Sequence, residues 1–369
     1  MPEKKVPKSK KKAEKSTKAE KTKSKRTRKA AEAEKTSAVA VSEAREAASR
    51  GIATGKPSLI QSSYGITGNF EVVVPLSGGG LAHYWRDNDS EELTWHGPNK
   101  FGEGAGRIEG VALIQSDFGE RGNLELVAVD YGGHNLIHFW RHSAALEWHG
   151  PVQISKKELV PIFSGNPSMI RGNSGHRGNF EVVVPRAEGG FSYYWRDNDT
   201  LELSWDGPVD FAVDAGIFDS ATLIQSTFGE PGNLELVARS GEQLVFFWRD
   251  CGPAFDWHGP APIGAGVSAN PSLIQSTFGR KGNFELVAPL SSGGLGYYWR
   301  DNDDPHLHWY GPLTFGMTVG KVEGVALIQS NFGEPGHLEA VAQAEGQLAF
   351  FWRDSGPDFR WNGPQFIAP

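Results

Sequence analysis

From residue 57 onward the chain is a succession of short apolar runs separated by glycine, asparagine and aspartate. The first unit contains four such runs: Ser58 to Ser62, Asn69 to Pro75, Leu81 to Asp87, and Leu93 to Trp95 with the Gly-Pro that follows. Glycine reaches positive φ angles and Asn or Asp side chains bond to nearby backbone, so the intervening residues predict turns. The pattern predicts four strands per unit and no helix of useful length after residue 57.

The third run of the first unit is apolar on both faces. Leu81, His83 and Trp85 lie on one face, and Ala82 and Tyr84 lie on the other. Side chains alternate across a strand, so a strand of this kind must be covered on both sides. Blades packed face to face would provide that cover.

The unit recurs six times, and all twelve tryptophans occupy two slots of it. The first slot is a Trp-Arg pair, at Trp85, Trp140, Trp195, Trp248, Trp299 and Trp352. The second slot is Trp-x-Gly-Pro, at Trp95, Trp148, Trp205, Trp257, Trp309 and Trp361. Successive Trp-Arg pairs lie 51 to 55 residues apart. A repeat of this length with four short strands predicts an all-β fold, a six-bladed β-propeller of four-stranded blades.

The units also alternate in kind. The first, third and fifth carry Trp-Arg-Asp-Asn-Asp, whereas the second, fourth and sixth share Leu-Glu-Leu/Ala-Val-Ala. The ring is therefore predicted to be three blade pairs with two families of surface groove. The predicted blades span approximately residues 57–109, 110–165, 166–219, 220–269, 270–323 and 324–369. The ring could close by simple blade packing or by a short strand exchange from residues 51 to 56.

Charge divides the chain at about residue 56. Residues 1 to 56 carry 18 Lys or Arg against 7 Asp or Glu and no aromatic residue, which leaves 19 basic and 37 acidic residues for the rest. Such a segment cannot bury enough apolar surface to offset its ordering entropy, so it is predicted to be a disordered basic tail. It could contact nucleic acid or another acidic surface, or act as a solubilising linker lying on the acidic propeller.

Localisation follows from what the sequence contains. No apolar run follows the basic start, which argues against a secretory signal, and nothing approaches the roughly 20 apolar residues of a membrane span. Cys251 is the single cysteine, so no internal disulfide can form. An intracellular, cytoplasmic location is favoured, and release from the cell is compatible with the same features.

Two charged positions recur in every unit and are candidate ligand-binding residues. A glutamate lies in each second strand: Glu71, Glu125, Glu181, Glu235, Glu285 and Glu339. An arginine closes each third strand: Arg86, Arg141, Arg196, Arg249, Arg300 and Arg353. They could form an ion pair that clamps adjacent strands, or a site in which both bond to sugar hydroxyls while an aromatic ring stacks on the sugar. The sequence leaves both hypotheses open.

The two tryptophan series differ in their surroundings. Trp85 and its equivalents belong to an apolar stripe and are interpreted as core. Trp95 and its equivalents lie on the outer strand beside a variable residue, which is typical of a rim. They are candidate sugar platforms, with packing against the next blade as the alternative.

No motif predicts catalysis, a metal or a cofactor. The Asp-Asn-Asp triplets (Asp87 to Asp89 and its equivalents) are better suited to turns than to calcium, because one tight loop seldom supplies six ligands. His-Glu-x-x-His, Gly-x-Ser-x-Gly and Walker motifs are absent from the sequence. Six similar positions favour multivalent binding over an enzyme with one asymmetric centre.

The pattern resembles the bacterial propeller lectins typified by Photorhabdus and, more loosely, the six-bladed fucose lectins of fungi. The resemblance rests on Asn233 to Arg239, Leu244 to Asp250, and Trp257, and its rhythm extends over residues 57 to 369. It implies pockets between neighbouring blades for fucose or O-methylated sugars, with the glutamate, arginine and outer tryptophan as the matched positions. The bacterial lectins generally have seven blades and a tryptophan-dense third strand, so the resemblance transfers no sugar specificity.

The third unit departs from its siblings, because Arg171-Gly172 replaces Gln-Ser and Ser174-Gly175 replaces the aromatic-Gly pair. Any site that depends on the glutamines is therefore expected to be lost or altered there; they are Gln61, Gln115, Gln225, Gln275 and Gln329. The sequence predicts a non-catalytic, multivalent carbohydrate-binding module whose partners are glycans or glycoconjugates. The alternatives are a protein-interaction scaffold and, third, a propeller lyase or hydrolase.

Overall fold

The computed structural model describes residues 51–155, 162–252, 254–356 and 358–367. Within these ranges the chain forms six four-stranded antiparallel sheets, each built from four consecutive strands. This confirms the predicted six-bladed β-propeller. The predicted disordered tail falls on residues outside this description, apart from its last six.

The strands follow one another in chain order, four to a blade. The first three blades contain β1 (Ser58–Gln61), β2 (Phe70–Pro75), β3 (Leu81–Arg86), β4 (Trp95–Phe101), β5 (Ile108–Gln115), β6 (Leu124–Asp130), β7 (Leu136–Arg141), β8 (Trp148–Gln153), β9 (Ser168–Arg171), β10 (Phe180–Pro185), β11 (Phe191–Arg196) and β12 (Trp205–Phe211). The last three contain β13 (Ser220–Gln225), β14 (Leu234–Ser240), β15 (Gln243–Arg249), β16 (Trp257–Ala265), β17 (Ser272–Gln275), β18 (Phe284–Pro289), β19 (Leu295–Arg300), β20 (Trp309–Phe315), β21 (Val322–Gln329), β22 (Leu338–Ala344), β23 (Gln347–Arg353) and β24 (Trp361–Ile367). Two short 3-10 helices, Glu103–Ala105 and Met317–Val319, precede β5 and β21.

The outer strand of each blade is longer than predicted, because Gly-Pro interrupts the strand without ending it. In the first blade the pairing of β3 with β4 shifts register between His83 and Trp85, and β4 continues to Phe101. Gly97 lies at this bulge with φ +117°, and a Cβ there would lie 2.8 Å from the His83 carbonyl oxygen. The invariant glycine is therefore explained by a backbone approach that no side chain permits.

The hydrophobic core lies between blades. Six clusters of buried residues each combine the inner faces of two adjacent sheets, such as Val73 and Leu81 of the first blade with Leu113 and Phe139 of the second. This confirms that the third strands need cover on both faces. It also means that a single blade cannot bury its own apolar surface.

The ring closes by blade packing, since the first sheet contains β1 to β4 and the sixth contains β21 to β24. Across the seam Gln61 accepts a hydrogen bond from the Asn331 amide at 3.0 Å. Residues 52 to 56 support the seam without joining a sheet: the Gly55 amide donates to Glu323 (3.1 Å), and Gln343 donates to the Ala53 carbonyl (2.9 Å). Composition placed these residues in the tail, whereas their contacts place them in the ring.

None of the helices in the described ranges has the length and apolar character needed to cross a membrane.

Candidate functional site

Six clefts lie between adjacent blades, at the end of the ring where the second strands begin and the third strands finish. We number them I to VI after the blade that contributes the glutamate; the arginine comes from the next blade, and the first blade completes cleft VI. The glutamate and arginine of clefts I to VI are, in order, Glu71 and Arg141, Glu125 and Arg196, Glu181 and Arg249, Glu235 and Arg300, Glu285 and Arg353, and Glu339 and Arg86.

The glutamate and arginine of one blade do not clamp their neighbouring strands, so that hypothesis was wrong. Glu71 pairs with Trp85 in the strand register, and Arg86 pairs with Phe70. Because successive side chains alternate, Glu71 and Arg86 project from opposite faces of the same sheet. Each glutamate therefore faces the arginine of the following blade, across a cleft.

Four of the clefts enclose well-formed cavities. Clefts I, II, IV and V have volumes of about 350, 580, 560 and 520 Å³. Each is lined by the glutamate and the third-strand tryptophan of one blade and by the arginine of the next. The outer tryptophan of the next blade also lines three of them, as Trp205, Trp309 and Trp361. The structure thus brings the three predicted residue types together, but from two blades.

A serine positions the glutamate in five clefts. In cleft I the Ser62 hydroxyl donates to Glu71 Oε1 at 3.0 Å, and the equivalent bonds elsewhere measure 2.9 or 3.0 Å. All six glutamates are at most 3% exposed. A buried carboxylate with lone pairs directed into a cavity is a strong acceptor for a ligand hydroxyl.

Five of the six arginines lie among several aromatic rings, and Arg141 lies 5.9 Å from the Tyr64 ring centroid. The Arg300 guanidinium lies 4.0 Å from the Phe284 ring centroid and 5.0 Å from that of Phe246, and Arg86 has the same arrangement with Phe70 and Phe350. These are cation–π distances. They fix the planar guanidinium so that its remaining N–H groups face the cleft, which explains why lysine never replaces it.

The Asp-Asn-Asp triplets serve the arginine and the turns, in agreement with the turn interpretation. The Arg86 Nε donates to Asn88 Oδ1 at 2.6 Å, and Asn88 donates to the Gly68 carbonyl. Asp89 accepts the amides of Ile66 and Thr67, which lowers the pKa of its carboxyl group. Arg196 and Arg300 have the same asparagine contact, so this support recurs in alternate blades.

The outer tryptophans are half-buried and alternate in packing as the blade pairs predict. Trp148, Trp257 and Trp361 stack on a phenylalanine of the preceding blade, with centroids 4.1 Å apart in each case. Trp95 instead meets Phe350 edge to face at 5.7 Å. Packing against the neighbouring blade therefore occupies one face of these rings, and the cleft borders another part.

The third-strand tryptophans are not core residues, which corrects the interpretation of Trp85. All six are half-buried, and Trp85, Trp140, Trp248 and Trp299 line cavities. Trp85 stacks on His96, the variable residue of the outer strand, at 5.3 Å. The aromatic wall of each cleft is thus supplied mainly by this series.

Sequence reasoning missed one further element of the clefts. A bulky apolar residue two positions before each outer tryptophan has positive φ: Leu93, Leu146, Leu203, Phe255, Leu307 and Phe359. Such backbone costs of order 1–3 kcal/mol and concentrates at ligand sites. Four of the six line the cavities. The recurring Leu/Phe-x-Trp spacing was visible in the sequence, but the backbone angle was not.

Cleft III differs from the others, and the reason is not the missing glutamine. The glutamines cross-link neighbouring blades; Gln115, for example, accepts the Ser63 amide at 2.8 Å. Cleft III instead lacks the serine, because Gly172 stands in its place, and Arg249 approaches Glu181 to 3.6 Å as a direct ion pair. The expected alteration of the third unit thus occurs, through a different residue.

Burial raises the pKa of the glutamate in each of clefts III to VI. Burial raises the pKa of Glu235 and of Glu339 to about 7, against the opposing effects of the serine and arginine. Burial lowers the pKa of Arg300 and of Arg86 to about 10. In clefts IV and VI the two charged groups are desolvated, and neither pair is within the 4.0 Å of an ion pair.

No family model and no curated protein sequence matches the chain. Solved structures do match its fold. A BP39L lectin from Burkholderia pseudomallei is 22% identical, with a TM-score of 0.60 over 86% of each chain. A fucose-specific lectin from Aleuria aurantia is 17% identical, with a TM-score of 0.60 over 86% of this chain and 97% of the lectin.

The same fold also occurs in hydrolases. The NanB sialidase from Streptococcus pneumoniae is 10% identical, with a TM-score of 0.57 over 86% of this chain and 68% of the sialidase. These likenesses confirm the resemblance to lectin propellers at the level of fold. Function must be argued from the clefts.

Proposed function

We propose that the ring is a multivalent, non-catalytic carbohydrate-binding module whose sites are the clefts between blades. The observation that carries this proposal is the repeated combination of a buried glutamate, a fixed arginine and a half-buried tryptophan around a cavity of about 350 to 580 Å³. Cavities of this volume fall in the range of small-molecule sites.

A sugar matches this combination chemically. Its hydroxyl groups can donate to the carboxylate and accept from the guanidinium, and its apolar C–H face can lie on an indole. The shared fold of the Burkholderia and Aleuria proteins supports the proposal, since both are lectins. The Aleuria protein is named for fucose, so L-fucose belongs among the first ligands to test.

A glycan array with the full chain tests this proposal, and the tryptophan that lines each cavity provides the variant. Trp140→Ala and Trp248→Ala remove the aromatic wall of clefts II and IV, and together they should lower array signals at least tenfold. Tyr131→Ala is the matched control, because Tyr131 is 58% exposed on a loop at the opposite end of its blade. Silence of the folded unaltered protein across a broad array would refute sugar binding and favour the scaffold alternative.

The absence of catalysis is part of the proposal, because the same residues recur in all six clefts. The hydrolase alternative has one observation in its favour: Tyr193 donates to Glu181 at 2.8 Å, and sialidases use a tyrosine nucleophile. Burial, followed by the glutamate charge, raises the pKa of the Tyr193 phenol, which disfavours the phenolate that such a reaction needs. Incubation with a fluorogenic sialoside should therefore release fluorophore only at the background rate, and a rate that is lost in Tyr193→Phe would favour the hydrolase.

A further inference from the structure

One third-strand residue decides whether the second carboxylate oxygen of the cleft glutamate already has a hydrogen-bond partner in the protein. We call it the companion residue; it lies two positions before the third-strand tryptophan. In clefts I to VI it is His83, His138, Tyr193, Phe246, Tyr297 and Phe350. In four clefts its polar atom bonds to glutamate Oε2, at 2.8 Å from His83, 2.9 Å from His138 and 2.8 Å from Tyr193, with Tyr297 bonded to Glu285 in the same way.

Clefts IV and VI lack this bond because phenylalanine has no polar atom. Glu235 has Ser226 as its hydrogen-bond partner (2.9 Å), and Glu339 has Ser330 (3.0 Å). The Glu339 Oε2 atom is buried without a partner. A buried acceptor without a partner is unfavourable, more so when it is charged, and a ligand donor would remove that cost.

The lining of cleft IV indicates which ligand its glutamate would bind. Glu235 lines the cavity of cleft IV together with Trp248, Arg300 and Trp309. Arg300 holds a charge at the same cavity, but its Nε is already bonded to Asn302 at 2.8 Å. The matched ligand is a neutral polyol that donates one hydroxyl to the carboxylate and presents another oxygen to the remaining guanidinium N–H groups.

We propose that clefts IV and VI are the two primary sugar sites, selected by Phe246 and Phe350, and that the companion residue sets the strength of every cleft. This inference rests on the proposed carbohydrate-binding function. In clefts I, II, III and V a sugar hydroxyl must compete with a histidine or tyrosine that the glutamate already holds. In clefts IV and VI the sugar hydroxyl completes a buried hydrogen-bond set.

The other blades show which residue to exchange at clefts IV and VI. Phe246→Tyr with Phe350→Tyr introduces the residue present at the same position in the third and fifth blades, so a tyrosine is sterically compatible with the position. The matched control is Tyr193→Phe with Tyr297→Phe. Each full-length protein is titrated calorimetrically with the methyl glycosides of L-fucose, D-mannose, D-galactose and D-glucose.

We expect two strong sites per chain in the unaltered protein. The Phe→Tyr pair should weaken both at least tenfold, and the Tyr→Phe pair should leave them unchanged or add sites. Six equivalent sites, or sugar binding that the Phe→Tyr pair does not alter, would refute this inference and leave the proposed function standing. No binding of any glycoside, with a silent glycan array, would refute both.

A second double variant tests the same two clefts in case the Phe→Tyr pair does not fold. Glu235→Gln with Glu339→Gln keeps the side-chain shape and replaces the free carboxylate oxygens. The same loss of two strong sites is expected, with clefts I, II and V intact. Retention of both strong sites would refute the assignment of clefts IV and VI.

Discussion

At the scale of single residues, the buried glutamates of clefts IV and VI make the stability of the folded chain depend on pH. Their folded pKa of about 7 lies above the ordinary value of 4.5, so the folded chain binds more protons than the unfolded chain between these values. Stability from these groups is therefore complete at low pH and falls as pH rises through about 7. A carboxylate whose burial outweighs its serine hydrogen bond and the nearby arginine is expected to behave in this way.

We predict that Glu235→Gln raises the free energy of unfolding by about 1 to 3 kcal/mol at pH 8, because it removes a buried charge whose pKa shift corresponds to about 1.4 kcal/mol per unit. The gain should disappear near pH 4.5. Urea denaturation at both pH values measures it. Glu71→Gln is the control, since Glu71 accepts bonds from both Ser62 and His83 and should lose stability.

Sugar binding at clefts IV and VI should weaken as pH falls below about 7, because protonation removes the carboxylate that accepts the hydroxyl. Several charged groups surround each glutamate: Arg300, Asp250 and His308 in cleft IV, and Arg86 and Asp354 in cleft VI, with His337 3.8 Å from Asp354. Calorimetry from pH 5 to 8 should show the decline in the unaltered chain. In Glu235→Gln with Glu339→Gln the residual binding affinity should not change with pH. A persistent decline would assign the effect to His308 and His337.

At the scale of elements, the outer strand depends on the Gly-Pro bulge. We predict that Gly97→Ala destabilises the ring by at least ~2 kcal/mol, because alanine strains the positive φ and its Cβ meets the His83 carbonyl. Gly104→Ala is the control, since no atom lies within 4 Å of the added Cβ. Thermal unfolding of the two variants should differ by several degrees, and equal values would contradict the close approach.

The strands were predictable from sequence because the short apolar runs are separated by glycine, asparagine and aspartate. Their cross-strand partners were not, because the hairpin register depends on loop geometry that composition does not report. For this reason an ion pair between Glu71 and Arg86 remained one of two hypotheses, whereas the register places Glu71 opposite Trp85. The structure brings the predicted residues together at the clefts, but their assignment to pairs of blades could not be read from the sequence.

The burial of Trp85 shows a second limit of prediction from sequence. An alternating apolar strand indicates that both faces are covered, but not where the cover ends. Trp85 is half-buried between the buried residues Tyr84 and Arg86, so coverage is incomplete only on the face of Trp85, which borders a cleft. The companion residue escaped notice for a related reason: His83, Tyr193 and Phe246 all satisfy an aromatic pattern, and their different hydrogen bonds appear only beside the glutamate.

At the scale of the whole molecule, residues 51 to 56 matter to ring closure, although composition assigned them to the tail. We predict that a chain starting at residue 57 is folded but less stable than one starting at residue 51, by about 1 to 3 kcal/mol. The shorter chain loses the Ala53 carbonyl that accepts from Gln343, a residue with no exposed surface. Urea denaturation of both proteins measures the difference, and identical midpoints would mean that the seam needs only the blades.

Ring geometry determines what the two strong sites that we propose at clefts IV and VI would achieve together. Clefts IV and VI are separated by cleft V, so one chain could hold two sugars of the same surface. Such coupling raises apparent affinity by roughly 10² to 10⁴ without a new contact. Binding of the full chain to glycan-coated surfaces should therefore strengthen with glycan density. Phe246→Tyr alone, which leaves cleft VI intact, should abolish most of the density dependence while preserving the affinity for free methyl glycoside. If the single variant retained the density dependence, the avidity would have to come from clefts I, II or V, and the distinction between strong and weak clefts would fail.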